Sequence, residues 1–458
     1  MPPAAEETIR QTGGDLPSVR RGQKLLLTET VFARAVGTTL GGVFLTALVR
    51  SLGGGALEVG ATLAAGHIGA LGMLLANPVL NHIGSRRRFC LITLGAVRSL
   101  RMVIAAMPLL LYLGLDRGSL LWPMVACVLV SAFFGMSAEI SRRSWISDLV
   151  GPTKRGKFLG RRVMIASITT LLIWLGGGWF LDSFFAPPAD RLPGLSILIG
   201  FGGLMGWLGW WLLLRTPEPP LSLPRRPTGF GRSLALPWLR PRFRPVVIVG
   251  TASALATGVC GGFFHLYMLN HLGMKVFWIA GVDIVGELVA LAGAPFYGAW
   301  ADRAGARRVL AVSMLVKGVF PALWILVSPG VWPLAFAVVL LRTFNSAGQI
   351  CWLRLSLNLS PARNQVAFLA MHQALMGAGS AVGALVGGTT ARLLEPFDLG
   401  SIGGISIVPL HVLFAVSAVL RLSSVVLVRL IREPRRTLRP AAESQLPRQS
   451  EWPNGQED

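Results

Sequence analysis

The sequence predicts an all-α integral membrane protein: twelve transmembrane helices in two six-helix bundles related by a parallel repeat. Three observations predict it. Of 458 residues, 53% are hydrophobic and only 14% charged, with a mean hydropathy of +0.60, proportions far from those of a soluble chain. Apolar runs of the length a bilayer core of roughly 30 Å requires recur twelve times. The two sets of six also share segments at nearly constant spacing, the mark of an internal duplication.

The ends read differently from the middle. Residues 1–26 are polar and mixed in charge, with no signal-peptide pattern, and form an N-terminal tail. Apolar runs then cover 30–50, 57–80, 89–113, 120–141, 162–182 and 193–214, which makes 27–214 the first bundle. Eight prolines lie between Arg215 and Pro245 and exclude a thirteenth helix there, so 215–244 is a linker. Runs at 246–268, 275–300, 309–328, 331–351, 365–390 and 405–431 give a second bundle over 245–431, followed by a tail at 432–458.

Basic residues orient the chain. The tails and the loops after spans 2, 4, 6, 8 and 10 hold 31 Lys and Arg, the opposite loops hold five (Arg50, Arg117, Arg191, Lys275, Arg392), and seven fall within spans. That asymmetry places both termini in the cytoplasm. It also explains the net charge of +22 without nucleic acid, because the charge is dispersed over short segments beside apolar helices. Its partners are instead anionic lipid headgroups, met for example by Arg142, Arg143, Lys154, Arg155, Lys157, Arg161 and Arg162 between spans 4 and 5.

Several chemistries are excluded or unsupported. The four cysteines lie far apart in apolar runs, with neither CxxC nor a Cys/His cluster, so neither a disulfide scaffold nor a metal site is expected. Gly151 to Lys157 nearly spells a phosphate loop, but Phe158 stands where Ser or Thr must hold magnesium and no strand precedes it. No hydrolase motif appears, and neither enzymatic activity nor a cofactor is expected.

The repeat shows best in two loops. After span 8 the chain runs Gly298, Ala299, Trp300, Ala301, Asp302, Arg303, Ala304, Gly305, Ala306, Arg307, Arg308. Its counterpart after span 2 runs from Asn77 through Asn81 and Gly84 to Arg86 and Arg87, followed by Arg88. The pattern G-x-x-x-D-R-x-G-x-R-R in a twelve-span chain resembles the signature loop of the major facilitator superfamily, and the resemblance covers roughly 27–431. It implies a secondary transporter that moves a small molecule by alternating access. It also implies a cytoplasmic gate formed by Gly298, Asp302, Arg303, Gly305, Arg307 and Arg308, with Gly84, Arg86, Arg87 and Arg88 as the weaker first-half copy, since Asn replaces both the first Gly and the Asp. Asp302 and Arg303 would then latch cytoplasmic helix ends together. A stretch in span 11 is similar to the family's antiporter motif but lies in the wrong span and lacks its Pro. Gly379, Gly383 and Gly387, four apart, read there as a helix-packing ladder.

Charges within spans mark function, because each costs at least ~2.5 kcal/mol to insert. Asp283 and Glu287 lie on one face of span 8. Helical rise puts Glu287 roughly 18 Å from the outer end and Arg342 of span 10 roughly 16 Å from its own, so Glu287 and Arg342 are expected to pair. A midplane carboxylate beside a cation suits proton coupling, with Asp283 as a relay; a permanent structural ion pair is the alternative. By the resemblance, in which helices 1, 4, 7 and 10 line a cavity with help from 2, 5, 8 and 11, the candidates are Asp283, Glu287, Arg342, Asn345, Gln349, His372, Gln373 and His67. Arg34 lies about one turn inside span 1 and suits either a cavity or a structural role. Arg98, Arg101, Lys317 and Arg421 fall on helices 3, 9 and 12 and read as structural or snorkelling. The expected protein is a proton-coupled transporter of a small polar or zwitterionic molecule in a bacterial inner membrane. A transport-inactive receptor or assembly scaffold on the same fold is the alternative.

Overall fold

The structure, a computed structural model, describes residues 17–150, 155–185, 190–218, 238, 240–361, 365–402 and 405–433. Residues 1–16 and 434–458 of the tails and most of the expected linker lie outside these residues, as do the side chains of Asn77 and Asn81, whereas 17–26 of the expected N-terminal tail are helical and open span 1. The first six spans comprise Pro17–Thr39 with Gly42–Ser51; Ala56–Ile68 with Gly72–Ile83; Arg86–Ala106, extended by a 3-10 stretch to Leu113; Leu121–Leu149; Arg155–Phe184; and Leu192–Leu214. The second six comprise Arg244–Gly261 with Phe263–Asn270; Val276–Ala304; Ala306–Trp324; Leu334–Val339 with Thr343–Leu359; Gln365–Leu394; and Pro409–Leu427. Eleven of the twelve are long and apolar enough to cross a bilayer. Span 9 is the exception, since Arg307, Arg308 and Lys317 fall within its 19 residues.

Two details depart from the expected elements. Span 12 begins at Pro409 because Ile405–Ser406 pairs antiparallel with Ser401–Ile402 in a small hairpin before it. Spans 1 and 7 are each broken at a Gly-Gly pair, Gly41–Gly42 and Gly261–Gly262, 220 positions apart. At the first break Gly42 takes φ +54°, a conformation that glycine adopts without strain.

Within each bundle, apolar faces and small residues set the packing. Gly379, Gly383 and Gly387 face span 7, where a Cβ on any of them would crowd the carbonyls of Thr251, Leu255 and Val259. That ladder lets spans 7 and 11 approach backbone to backbone. In the first bundle, span 6 lays Gly202, Gly206 and Gly209 against Thr39, Val36 and Phe32 of span 1.

The bundles meet mainly at the end remote from the chain termini. There Ala56–Ile68 of span 2 packs along span 11, and Gly42–Ser51 of span 1 against Phe263–Asn270 of span 7. The far ends of spans 5 and 8 also meet: Phe277 N–H donates to Asp182 Oδ2 at 2.7 Å. Along span 8, most residues from Val276 to Gly286 are buried, whereas exposed positions recur from Leu288 onward. The far end is closed, and the halves splay toward the termini.

Candidate functional site

The best-formed polar site in the second bundle centres on Asp283, which is 6% exposed. Its Oδ1 accepts from Arg342 Nη1 at 2.8 Å and its Oδ2 lies 2.8 Å from His265 Nε2. An ionised carboxylate can only accept, so the His265 tautomer that satisfies this contact carries its proton on Nε2. One carboxylate thus joins spans 7, 8 and 10 about 10 Å from the far end of span 8, by helical rise.

Local sequence accounts for the convergence. The Gly261–Gly262 break starts the short helix Phe263–Asn270 and turns His265 toward span 8. Gly286 lets the Arg342 stem cross span 8, since a Cβ there would lie 2.8 Å from Arg342 Cδ. From the first bundle, a Cβ on Gly42 would lie 3.7 Å from His265 Cε1 and 3.8 Å from Asp283 Oδ2. The break in span 1 therefore abuts the triad.

This corrects the expected pair. Arg342 engages Asp283, and Glu287 has no ion-pair partner among the described residues. Its half-exposed side chain sits one turn nearer the splayed end. Gln349 and Gln373 are exposed and Asn345 is half-buried, so all three remain accessible. His67 is exposed on span 2. His372 is corrected as well: it is 1% exposed, neither ring nitrogen has a hydrogen bond, and Phe243 and Trp352 pack against it. It fills the interior of the bundle instead of lining a cavity.

The first bundle holds a second charged cluster that the sequence reading missed. Glu29, 1% exposed, lies 3.3 Å from Arg142 Nη1 of span 4 and 4.0 Å from Arg98 Nη2 of span 3. Glu139 pairs with Arg142 and, at 2.9 Å, with Arg143. Nearby, Arg162 Nε donates to Thr30 Oγ1 at 3.1 Å, and exposed Arg34 donates to Thr170 Oγ1 at 2.9 Å. Glu29 escaped notice because it stands one residue before the apolar run, whereas the helix begins at Pro17.

The signature loops make contacts that their sequence did not reveal. Glu218, just after span 6, accepts from Ser85 Oγ at 2.8 Å, Arg86 N–H at 2.7 Å and Arg87 N–H at 3.2 Å. Glu433, just after span 12, accepts from Ala306 N–H at 3.2 Å and Arg307 N–H at 3.1 Å. Each carboxylate thereby caps the N-terminus of the third helix of its own bundle, where the helix dipole favours negative charge. The arginine one residue on reaches the same strap: Arg87 donates to Leu214 O, and Arg307 to Arg429 O at 3.3 Å. Gly84 and Gly305 make the turns with φ +70° and +89°. Asp302 pairs with Arg354 of span 10 at 2.8 Å, so this contact ties two helices of one bundle, not the two bundles expected of a latch. Arg303 and Arg308 are exposed, Gly298 has open space beside it, and Arg88 N–H bonds Ser85 Oγ at 3.1 Å. No group of three metal-binding side chains occurs among the described residues.

Twelve spans in two similar bundles, meeting at one end around a charged triad, make up the described fold. Residues 248–453 match the family model for the Major Facilitator Superfamily. That match covers a little less than half of the chain, nearly all of its second bundle, and over it the chain is similar to that family. Solved structures carry the likeness over both bundles. The nucleoside transporter NupG superposes with TM-score 0.67 at 12% identity, covering 92% of this chain and 100% of that one. A bacterial homologue of the iron transporter ferroportin, in an inward-facing state, gives 0.62 at 18% identity over 90% and 99%. A bacterial homologue of the human lysosomal transporter Spinster, also inward-facing, gives 0.58 at 16% over 91% and 95%. No functionally curated protein matches the sequence significantly.

Proposed function

We propose that the protein is a proton-coupled secondary transporter of a small polar molecule, working by alternating access, with both termini in the cytoplasm of a bacterial cell and the chain in the inner membrane. The observation that carries the coupling is the buried Asp283, bound at once to Arg342 and His265 and abutted by the span 1 break. A carboxylate between a permanent and a titratable cation can exchange a proton when substrate takes either partner. Substrate bound to Arg342 would release Asp283 to accept a proton, which gives symport; a cationic substrate competing for Asp283 would give exchange.

Basic-loop asymmetry supports the orientation, and with it the splayed end faces the cytoplasm. The conformation is then inward-facing. Glu287, one turn nearer that opening than the triad, becomes the second protonatable site, and exposed Arg34, bonded to Thr170, is the candidate from the first bundle. In the opposite state the signature loops would close over it, with Asp302 and Arg303 biasing the cycle toward the outward-open form.

The test is transport in proteoliposomes with an imposed pH gradient, using substrates found by comparing metabolites of cells with and without the protein. Asp283→Asn should abolish gradient-driven accumulation while counterflow of preloaded substrate persists. Undiminished accumulation in Asp283→Asn would assign the triad a purely structural role.

A further inference from the structure

A second pair of cations, buried Arg421 and half-buried Lys317, lies in the second bundle, away from the triad. Arg421 of span 12 is 6% exposed. Its Nη1 donates to Lys317 O at 3.0 Å, and its Nη2 reaches Thr257 O at 3.4 Å and Cys260 Sγ at 3.3 Å. Its Nε is buried without a hydrogen bond. The Lys317 ammonium of span 9 has no hydrogen bond or ion pair among the described residues. A cavity between spans 7, 9 and 12 is lined by both cations with Ser253, Thr257, Met314 and Ser424, and has room for the centre of about one water-sized species, 10 Å³.

Among the described residues no carboxylate neutralises them. The described acids of this bundle are Asp283, Glu287, Asp302, Glu395, Asp398 and Glu433. Asp283 is engaged by Arg342 and His265, Asp302 by Arg354, and Glu433 by the cap of span 9. Glu395 and Asp398 lie in the far loop, and Glu287 pairs with neither cation. The first bundle solves the same problem differently, since its buried Arg98 on span 3 has Glu29 within 4.0 Å. Two adjacent cations with no fixed counter-charge among the described residues are unfavourable in an apolar bundle, so a mobile negative charge is expected there.

We propose that this cavity binds one small monovalent anion of chloride size, held by the Lys317 ammonium and the Arg421 guanidinium. Depth disfavours a lipid phosphate: Lys317 lies roughly 16 Å along span 9 from its terminus-side end, and Arg421 roughly 9 Å from the corresponding end of span 12. Hydroxyl chemistry narrows the donors. Thr257 donates to Ser253 O and Ser424 to Arg421 O, at 2.8 and 2.7 Å, which leaves the Ser253 hydroxyl to complete the shell. Bound there, the anion stitches spans 7, 9 and 12 into one rigid unit.

The experiment is thermal unfolding of the purified full-length protein in detergent, first in sodium gluconate and then with chloride or bromide replacing gluconate at constant ionic strength. The wild-type midpoint should rise saturably, by about 3 °C or more at a hundredfold excess over the dissociation constant. Lys317→Met should lose that rise, and Lys317→Arg should keep it. A wild-type midpoint indifferent to halide, or an undiminished response in Lys317→Met, overturns the site. Should Lys317→Met fail to fold, anomalous scattering from wild-type crystals grown in bromide decides: a peak in the cavity supports the proposal, and its absence means a water or an uncharged lysine occupies that place.

Discussion

Asp283 and Glu287 are one helical turn apart, yet among the described residues Asp283 holds two partners and Glu287 none. Their substitutions should therefore differ in kind. Glu287→Gln should leave thermal stability within about 0.5 kcal/mol, as for other changes away from fixed contacts, and reduce transport only partly. Asp283→Ala strands Arg342 and should lower stability by about 1–3 kcal/mol, the worth of hydrogen bonds to a charged group. Asp283→Ala combined with Arg342→Gln should recover part of that loss, because the unmatched charge goes too; thermal midpoints of the three proteins check it. Both carboxylates were visible in the sequence as charges out of place in lipid. The choice between them was not, because it depends on Gly286 leaving room for an arginine stem. His265 stood in plain view after Gly261–Gly262, and only the 220-residue match with Gly41–Gly42 signals that the helix breaks beside it.

The helix caps show how the two halves preserve one device with different residues. Glu218 and Glu433 each bind two backbone N–H groups at the start of spans 3 and 9. Glu218→Ala and Glu433→Ala should each cost about 1 kcal/mol, the usual loss for a cap, and Glu→Gln somewhat less through the lost charge. Differential scanning fluorimetry of the single and double variants checks this. The effects should add, since the caps belong to separate bundles. Loop sequence exposed the glycines and arginines of these turns. It could not expose the carboxylates, which arrive from 132 and 127 residues downstream.

At the scale of the molecule, Asp182 joins the far end of span 5 to Phe277 at the start of span 8, with Arg191 at 3.3 Å on its other oxygen. Asp182→Ala removes this tie between bundles and should shift the population toward opening at the far side. A cysteine placed at Gly42 beside the triad would then label several-fold faster from that side, relative to the same cysteine with Asp182 intact. Topology has its own check: Ser119→Cys, in an exposed loop, should label from outside intact cells, whereas Ser222→Cys should label only after permeabilisation. Efficient outside labelling of Ser222→Cys would reverse the proposed orientation.

The sequence by itself determined the solvent this chain folds in, the number of its helices and the duplication that makes two bundles. Those properties follow from apolar length and repeated loop residues, which are local and additive along the chain. Tertiary structure alone decided which charges meet. A helix fixes the direction of a side chain only relative to its own axis, so pairing waits on how neighbouring helices rotate and how closely they approach. Gly286 admits Arg342 to Asp283, the Gly42 break brings span 1 against them, and Glu29 finds Arg98 and Arg142 on two other spans. Lys317 and Arg421 are drawn together in the same way, and the absence of an acid between them appears only once the bundle is packed.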